Sequence, residues 1–350
     1  MHVFTSDTHH DHDPQFFVVR GQVQRSNEQP ERAERLEQAA RRAGHTLMPA
    51  AAFGREPLES VHTPRYLDFL EHVHARWLEL EDRNPEEVVA NIHPFPGEPC
   101  TYPDHLVGRV GFHLGDMAAS VGAGTWRAAI GAANCALSAT AHVSAGHAPS
   151  DKVQPGHQVA YALCRPPGHH AYAERANGFC YLNNAAIAAC DLRRHHERVA
   201  ILDIDVHHGN GNQGIFYERA DVLTVSLHAD PHFMTPFFTG HAHETGRHEG
   251  EGYNLNLPLP KGLDTVGYLR ELDRACERIA AFAPGALVVS LGLDAYEHDP
   301  YQGVAVTTEG FERITRRIAQ LGLPTVLIQE GGYLSDALGD NLASALAGFA

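Results

Sequence analysis

Five short apolar runs, at 158–164, 199–203, 222–227, 286–291 and 325–328, constrain the fold of this 350-residue chain more than any other feature. Between them lie stretches with helical periodicity, from about 184, before 222, at about 264–283 and at 309–321. Strands alternating with helices predict an α/β fold: a central, mostly parallel β-sheet flanked by helices. Val3 and Phe4 open an earlier strand. Helices are expected at 30–43, with Pro30 near the start and Gly44 past the end, from the Thr63–Pro64 cap to about Leu80, at 126–144, and at about 336–349. The stretch 82–107 breaks the rhythm with five prolines and reads as a long ordered loop or insertion. With no repeat and no low-complexity linker, one domain over 1–350 is expected.

Each of the five runs is followed at once by unusual polar residues. These are RPPGHH at 165–170, DVHHG at 205–209, Ser226 and His228, DAYEHD at 294–299, and Glu330 to Tyr333. Ligand sites in open α/β sheets lie beyond the carboxyl ends of the strands. Five clusters at that edge, from regions over 150 residues apart, imply one composite active site there.

Asp203, Asp205 and His207 alternate with Ile204 and Val206. On an extended strand this period of two places both carboxylates and the imidazole on one face. Two buried carboxylates repel each other unless a cation compensates. Asp and His suit a borderline divalent ion such as zinc, and Asp294, at the end of another apolar run, is the best third ligand. Three protein ligands leave a tetrahedral ion one open position, as a hydrolytic site requires. His169 and His170, on a rigid Pro-Pro-Gly turn, can supply the general base and general acid. Asp203 and Asn210 are plausible partners, one for each imidazole. Tyr333 can donate its hydroxyl to a carbonyl oxygen as charge builds.

Other features exclude some classes. Acidic residues outnumber basic ones 43 to 27, a formal charge of −16, which argues against sequence-nonspecific nucleic-acid binding. No signal peptide is visible, and no apolar run reaches the roughly 18–20 residues of a membrane span. Six scattered cysteines without a CxxC pair fit a reducing cytoplasm better than a disulfide framework.

In combination, RPPGHH (165–170), GFCYLNNAA (178–186), DIDVHHGNG (203–211), TVSLHAD (224–230), SLGLDAYEHDP (290–300) and EGGYL (330–334) resemble the arginase–deacetylase superfamily, and within it the zinc-dependent deacetylases. The resemblance spans nearly the whole chain, in the family's order. Ser6, Asp7 and His9, the AGTW of 123–126, and the FFTG of 237–240 with a following Glu-Thr-Gly are similar to the bacterial acetylpolyamine amidohydrolases.

This resemblance implies an arginase–deacetylase fold with its active site at the strand C-terminal edge. It implies one catalytic Zn²⁺ held by Asp205, His207 and Asp294, and tandem catalytic histidines His169 and His170, with His170 as base and acid. Tyr333 would polarise the scissile carbonyl, Asn210 would back a histidine, and Phe179, Phe238 and Gly178 would shape a narrow tunnel. Structural K⁺ would sit at Asp203, Ser226 and the carbonyls of Asp205, His207 and Leu227, and a second at the carbonyls of Phe216, Arg219 and Val222. The implied reaction removes acetyl groups from N-acetylated polyamines, small cationic amines. Glu98 and Asp104 are candidate selectors for the free ammonium, and an 82–107 insertion that pairs subunits implies a homodimer.

Alternatives are a deacetylase of acetyl-lysine proteins or other small N-acyl amines, and a binuclear manganese ureohydrolase. The second needs further carboxylates where this chain has Gly209 and Tyr296. A non-catalytic acyl-ligand sensor is disfavoured because Tyr333 and both tandem histidines are present.

Overall fold

The computed structural model describes residues 1–97, 99–145 and 158–350. Its strands are β1 (His2–Thr5), β2 (Phe17–Val19), β3 (Gln22–Gln24), β4 (Thr46–Pro49), β5 (Val159–Ala162), β6 (Val199–Asp203), β7 (Val222–Ala229), β8 (Asn254–Leu259), β9 (Ala286–Leu291) and β10 (Thr325–Gln329). Eight of them form one sheet in the order β4-β1-β5-β10-β9-β6-β7-β8, and every neighbouring pair is parallel. β2 and β3 make a separate hairpin whose turn residues, Arg20 and Gly21, both have positive φ, as a two-residue hairpin turn requires.

The helices are α1 (Pro30–Arg42), α2 (Glu56–Glu59), α3 (Pro64–Trp77), α4 (Leu106–His113), α5 (Thr125–Ala145), α6 (Asn184–Leu192), α7 (Asn210–Phe216), α8 (Thr265–Phe282), α9 (Thr308–Ala319) and α10 (Leu338–Ala347). Local chemistry sets several starts: Thr63, Asn183, Asp264 and Thr307 each accept from a backbone N–H three residues on.

Helices cover both faces of the sheet, and the strand residues divide between them with period two. Ala160, Ile201 and Val288 join the core shared with α3, α5 and α6, whereas Tyr161, Leu202 and Val289 join the core shared with α1, α8, α9 and α10. Burial on both faces is why the central strands read as continuous apolar runs. None of the described helices is long and apolar enough to cross a membrane.

Sequence reasoning missed β4 and β8, and both are edge strands. β4 is largely exposed and ends in Pro49; β8 alternates in burial and contains Pro258, a residue tolerated only where a ladder bond is not needed. The 82–107 stretch is held by the Val88–Val121 bridge and by side-chain bonds such as His93 Nδ1 with Gly111 O at 3.2 Å and Tyr102 Oη with His113 Nε2 at 3.0 Å, and it runs into α4 at Leu106.

Sheet order is what builds the site. β5, β10, β9, β6 and β7 are consecutive neighbours, so the polar clusters that follow them in sequence line one contiguous edge.

Candidate active site

β6 ends at Asp203, and the chain turns immediately beyond it, so Asp205 and His207 sit in a bend rather than on the extended strand expected from their spacing. The bend still turns both toward Asp294, which follows β9. His207 Nδ1 lies 3.1 Å from Asp205 Oδ1 and 3.1 Å from Asp294 Oδ2. One ligand atom from each residue falls within 4.8 Å of the others, and all three side chains are buried.

Backbone amides hold the carboxylates in place. Gly331 N donates to Asp205 Oδ2 at 2.7 Å, and Val206 N donates to Asp294 Oδ1 at 3.0 Å. Gly331 must lack a side chain, because a Cβ there would lie 2.2 Å from Asp294 Oδ2 and 2.5 Å from Asp205 Oδ2.

Burial raises Asp294, and the charge of Asp205 raises it further. Burial works against the ionised form of Asp205 too, but the neighbouring His169 and His207 hold it well below the carboxylate range. Burial would lower His207, yet the two carboxylates raise it to about 10. A proton on His207 is one way to balance two buried anions; a divalent cation shared by all three donors is the other. Two carboxylate oxygens and an imidazole nitrogen converging in a dry site fit zinc.

The tandem histidines follow β5. The structure pairs His169 Nδ1 with Asp203 Oδ2 at 3.0 Å and His170 Nδ1 with Asn210 Oδ1 at 2.7 Å. Their ring centroids are 4.0 Å apart, but their environments push them in opposite directions. Burial would lower His169, but Asp203 and Asp205 raise it well above its ordinary value. His170 is pushed well below by burial, then by the adjacent His169 and His207. His169 is therefore the cationic member and His170 the neutral one. Glu330, prominent in sequence only as part of the Gly-Gly-Tyr cluster, holds this turn: its Oε2 accepts from Gly168 N at 2.7 Å and His169 N at 3.0 Å. Burial pushes Glu330 up to about 7.

Tyr333 stands at the opposite side. Its backbone N donates to Asp299 Oδ2 at 3.0 Å, and its ring packs against Tyr301 at 4.8 Å. Tyr301 in turn lies 4.8 Å from His207. Burial keeps the Tyr333 phenol far above its ordinary pKa, so it remains a donor at neutral pH.

Beneath this turn is an ionic cluster that sequence reasoning did not identify. Arg32 donates to the carbonyls of Glu330 and Gly332 at 2.7 Å each, and its guanidinium covers the Tyr333 ring at 4.8 Å. Glu28 Oε1 accepts from Arg32 Nη1 at 2.7 Å and forms an ion pair with Arg165, whose Nε lies 2.9 Å away. All three side chains are buried.

Phe179, with φ +67°, is buried against Phe17 at 5.7 Å and Tyr333 at 6.0 Å. Phe17, on the short hairpin, joins Phe179 and Tyr333 in one cluster, although nothing in its sequence context singles it out. Gly178 lies against His170: a Cβ would approach His170 Cδ2 to 2.4 Å. Phe238 instead projects outward, 88 % exposed.

Asp203 and Ser226 are register partners on β6 and β7, and Leu227 is buried beside Ser226. Ser226 Oγ is 2.8 Å from His228 Nδ1. Phe216 ends α7 with its carbonyl accepting from Arg219 N at 2.9 Å, and Val222 opens β7. Asp104 is exposed; its neighbours Tyr102 and Pro103 pack against Arg65 and Arg109 of α3 and α4. Glu98 lies outside the described residues.

Residues 26–349 match the family model of the histone deacetylase domain. The chain is 46% identical over 338 residues to the acetylpolyamine amidohydrolase of Burkholderia pseudomallei, covering 97% of this chain and 95% of that one. It is 36% identical over 352 residues to the acetylpolyamine amidohydrolase of Mycoplana ramosa, covering both chains in full. A crystal structure of the Burkholderia pseudomallei acetylpolyamine aminohydrolase superposes with a TM-score of 0.93 at 44% identity, covering 100% of this chain and 98% of that chain.

The ionic cluster makes a direct prediction for stability. Burial would raise the Glu28 carboxyl, but Arg165 and Arg32 hold it below its ordinary value of 4.5. A depressed folded-state pKa stabilises the fold at pH values above the unfolded-state value, and that contribution is lost as pH falls through the folded value. Glu28→Gln strands two buried guanidinium groups, so it should cost about 3–5 kcal/mol at neutral pH. The difference from wild type should shrink in acid below pH 4.5. Urea unfolding of both proteins across pH 3–8 checks this (about five pH points suffice); a loss below about 1 kcal/mol at pH 7 contradicts the arrangement.

Proposed function

The chain belongs to the histone deacetylase domain family, and on that premise we propose that it is a zinc-dependent amidohydrolase that removes acetyl groups from N-acetylated polyamines. The observation that carries the chemistry is the tandem histidine pair, His169 Nδ1 on Asp203 and His170 Nδ1 on Asn210, set beside three convergent metal donors. For the substrate, the support is full-length similarity to proteins named acetylpolyamine amidohydrolases.

Zinc held by Asp205, His207 and Asp294 would act as a Lewis acid and make water acidic enough to attack an amide near neutral pH. His170 has Nδ1 committed to Asn210, leaving Nε2 to take a proton from the attacking water. The same nitrogen returns that proton to the departing amine as the C–N bond breaks, giving acetate and the free amine. Its depressed pKa keeps it unprotonated and ready as a base. His169, held cationic by Asp203, adds positive charge beside Asp205. The Tyr333 hydroxyl donates to the substrate carbonyl oxygen as negative charge develops there.

Phe179 and Phe17 pack with Tyr333 and suit a substrate methylene chain; the exposed Phe238 is proposed as a further apolar contact for it. The proposal includes K⁺ at Asp203, Ser226 and the carbonyls of Asp205, His207 and Leu227, and at the carbonyls of Phe216, Arg219 and Val222. It also includes a homodimer in the cytoplasm. Ile92 and Phe95, exposed at 61% and 79% on the 82–107 stretch, offer apolar surface for a second copy. Glu98 and Asp104 are the acidic groups proposed to favour the substrate's free ammonium.

Competition between acetylputrescine and an acetylated histone-tail peptide tests the substrate. Acetylputrescine should have the higher kcat/KM, with its advantage reduced at high salt; preferential turnover of the peptide overturns the polyamine assignment and spares the zinc mechanism. Tyr333→Phe tests the chemistry separately. It should lower kcat by about 10²–10³-fold with the fold intact, the usual cost of one oxyanion donor. Wild-type kcat/KM in that variant would remove Tyr333 from the reaction.

A further inference from the structure

The hydroxyl of Tyr333 can meet a carbonyl oxygen only if the backbone holds its Cα–Cβ bond in one direction. The two residues before it supply no stiffness of their own. Gly331 and Gly332 lack side chains, and Gly332 has φ +109°, a region that other residues rarely adopt. Contact excludes a side chain there too, since a Cβ on Gly332 would lie 2.6 Å from Leu293 Cβ. Left to itself, the rigid Gly332–Tyr333 peptide plane can rotate about the single bonds on either side of it, and rotation would re-aim the Tyr333 side chain.

Two buried side chains stop that rotation, one at each end of the peptide. Arg32 Nε donates to the Gly332 carbonyl at 2.7 Å, and Asp299 Oδ2 accepts from Tyr333 N at 3.0 Å. The other oxygen of Asp299 is committed as well: Oδ1 accepts from Tyr301 N at 2.9 Å. Tyr301 is the residue whose ring packs 4.8 Å from that of Tyr333, and its hydroxyl accepts from Asn27 Nδ2 at 3.3 Å. One carboxyl therefore holds the backbone of both partners in this ring contact. Asp299 is itself anchored. Its N donates to Tyr296 O at 3.0 Å and its carbonyl accepts from Gln302 N at 3.2 Å, while Glu297 N and Val306 N close the loop on Val306 O and Ala295 O at 2.9 and 3.0 Å.

We propose that Asp299 is a positioning residue for the reaction: it holds the N–H of Tyr333 while Arg32 holds the carbonyl of Gly332, and the clamped peptide keeps the Tyr333 hydroxyl aimed at the substrate carbonyl. The inference rests on the reading of Tyr333 as the donor to that oxygen. A carboxyl is required because two N–H groups must be accepted at once. A carboxamide has one oxygen, and turns an NH₂ toward whichever N–H the oxygen does not meet.

The test is a double-mutant cycle on the zinc-loaded enzyme. Asp299→Asn keeps the shape of the side chain and removes one acceptor. In the wild-type background it should lower kcat by about 10–100-fold, with KM changed less than about 3-fold, as expected for a misplaced reacting group. Zinc content should be unchanged. In the Tyr333→Phe background, where no hydroxyl is left to aim, the same substitution should cost less than about 2-fold. An equal loss in both backgrounds, no loss in the first, or a loss that added zinc restores overturns the proposal. A second variant leaves Asp299 untouched: replacing Tyr333 by its α-hydroxy acid makes the 332–333 linkage an ester, which removes the N–H and keeps the phenol. It should lower kcat by a similar factor, and it decides the question alone if Asp299→Asn does not fold; wild-type kcat in the ester overturns the proposal. Tyr333→Phe by itself separates the two readings. Wild-type kcat/KM there removes the donor role, whereas an impaired Tyr333→Phe beside a fully active Asp299→Asn removes only the clamp.

Discussion

Two carboxylates buried side by side, Asp205 and Asp294, are the constraint to which the rest of this molecule answers. In water-free surroundings their repulsion would push one of them to take up a proton. Here both are tied down by backbone N–H groups, and both face His207 at hydrogen-bonding distance. That arrangement calls for positive charge at the same point, supplied either by a proton on His207 or by the divalent ion proposed there. It also explains the local sequence. Gly331 approaches so closely that any side chain would displace the donors, so the turn after β10 is a glycine pair before it is anything else.

The charge problem extends outward in layers. Asp203 lies two residues from Asp205 and is answered by His169, which becomes cationic as a result. Burial depresses His170, and that cation depresses it further, so the imidazole proposed as the base belongs to the same electrostatic network as Asp203 and Asp205. Deeper still, Glu28 gathers Arg32 and Arg165 into one buried cluster. Arg165 opens the histidine turn and Arg32 grips the turn that carries Tyr333, so a single carboxylate from the N-terminal segment braces the turns that carry His170 and Tyr333. A buried ion pair is weak evidence for net stability. Its value here is geometric, since it ties the turn after β5 to the turn after β10.

The sequence makes much of the sheet legible because its central strands are buried on both faces and therefore continuous in apolar character. β4 and β8 are hidden by the opposite circumstance: at the edges, exposed positions and prolines are allowed, and the apolar signal thins out. The metal donors and tandem histidines are legible because their side chains are polar, dense and placed directly after strands. Which histidine pairs with Asp203 is not, because that depends on how α7 and the turn after β5 meet in space. Glu28 and Arg32 lie 302 and 298 residues from Glu330, and around the start of a helical stretch they look like an ordinary exposed i,i+4 pair. Only the fold shows them buried. Phe17 is concealed similarly, on a three-residue strand of a hairpin outside the main sheet. For Phe238 the motif gives chemistry without exposure, and the isolated chain leaves the ring in solvent.

Whether Asp205, His207 and Asp294 hold a single catalytic ion is decided by titrating chelated protein with zinc while bound metal and deacetylase activity are both followed. Activity should be absent after chelation and return in proportion to zinc up to one equivalent per chain, and Asp294→Asn should abolish tight binding of that equivalent. Full activity without metal, or activity that returns only when two ions are bound to each chain, would contradict that assignment.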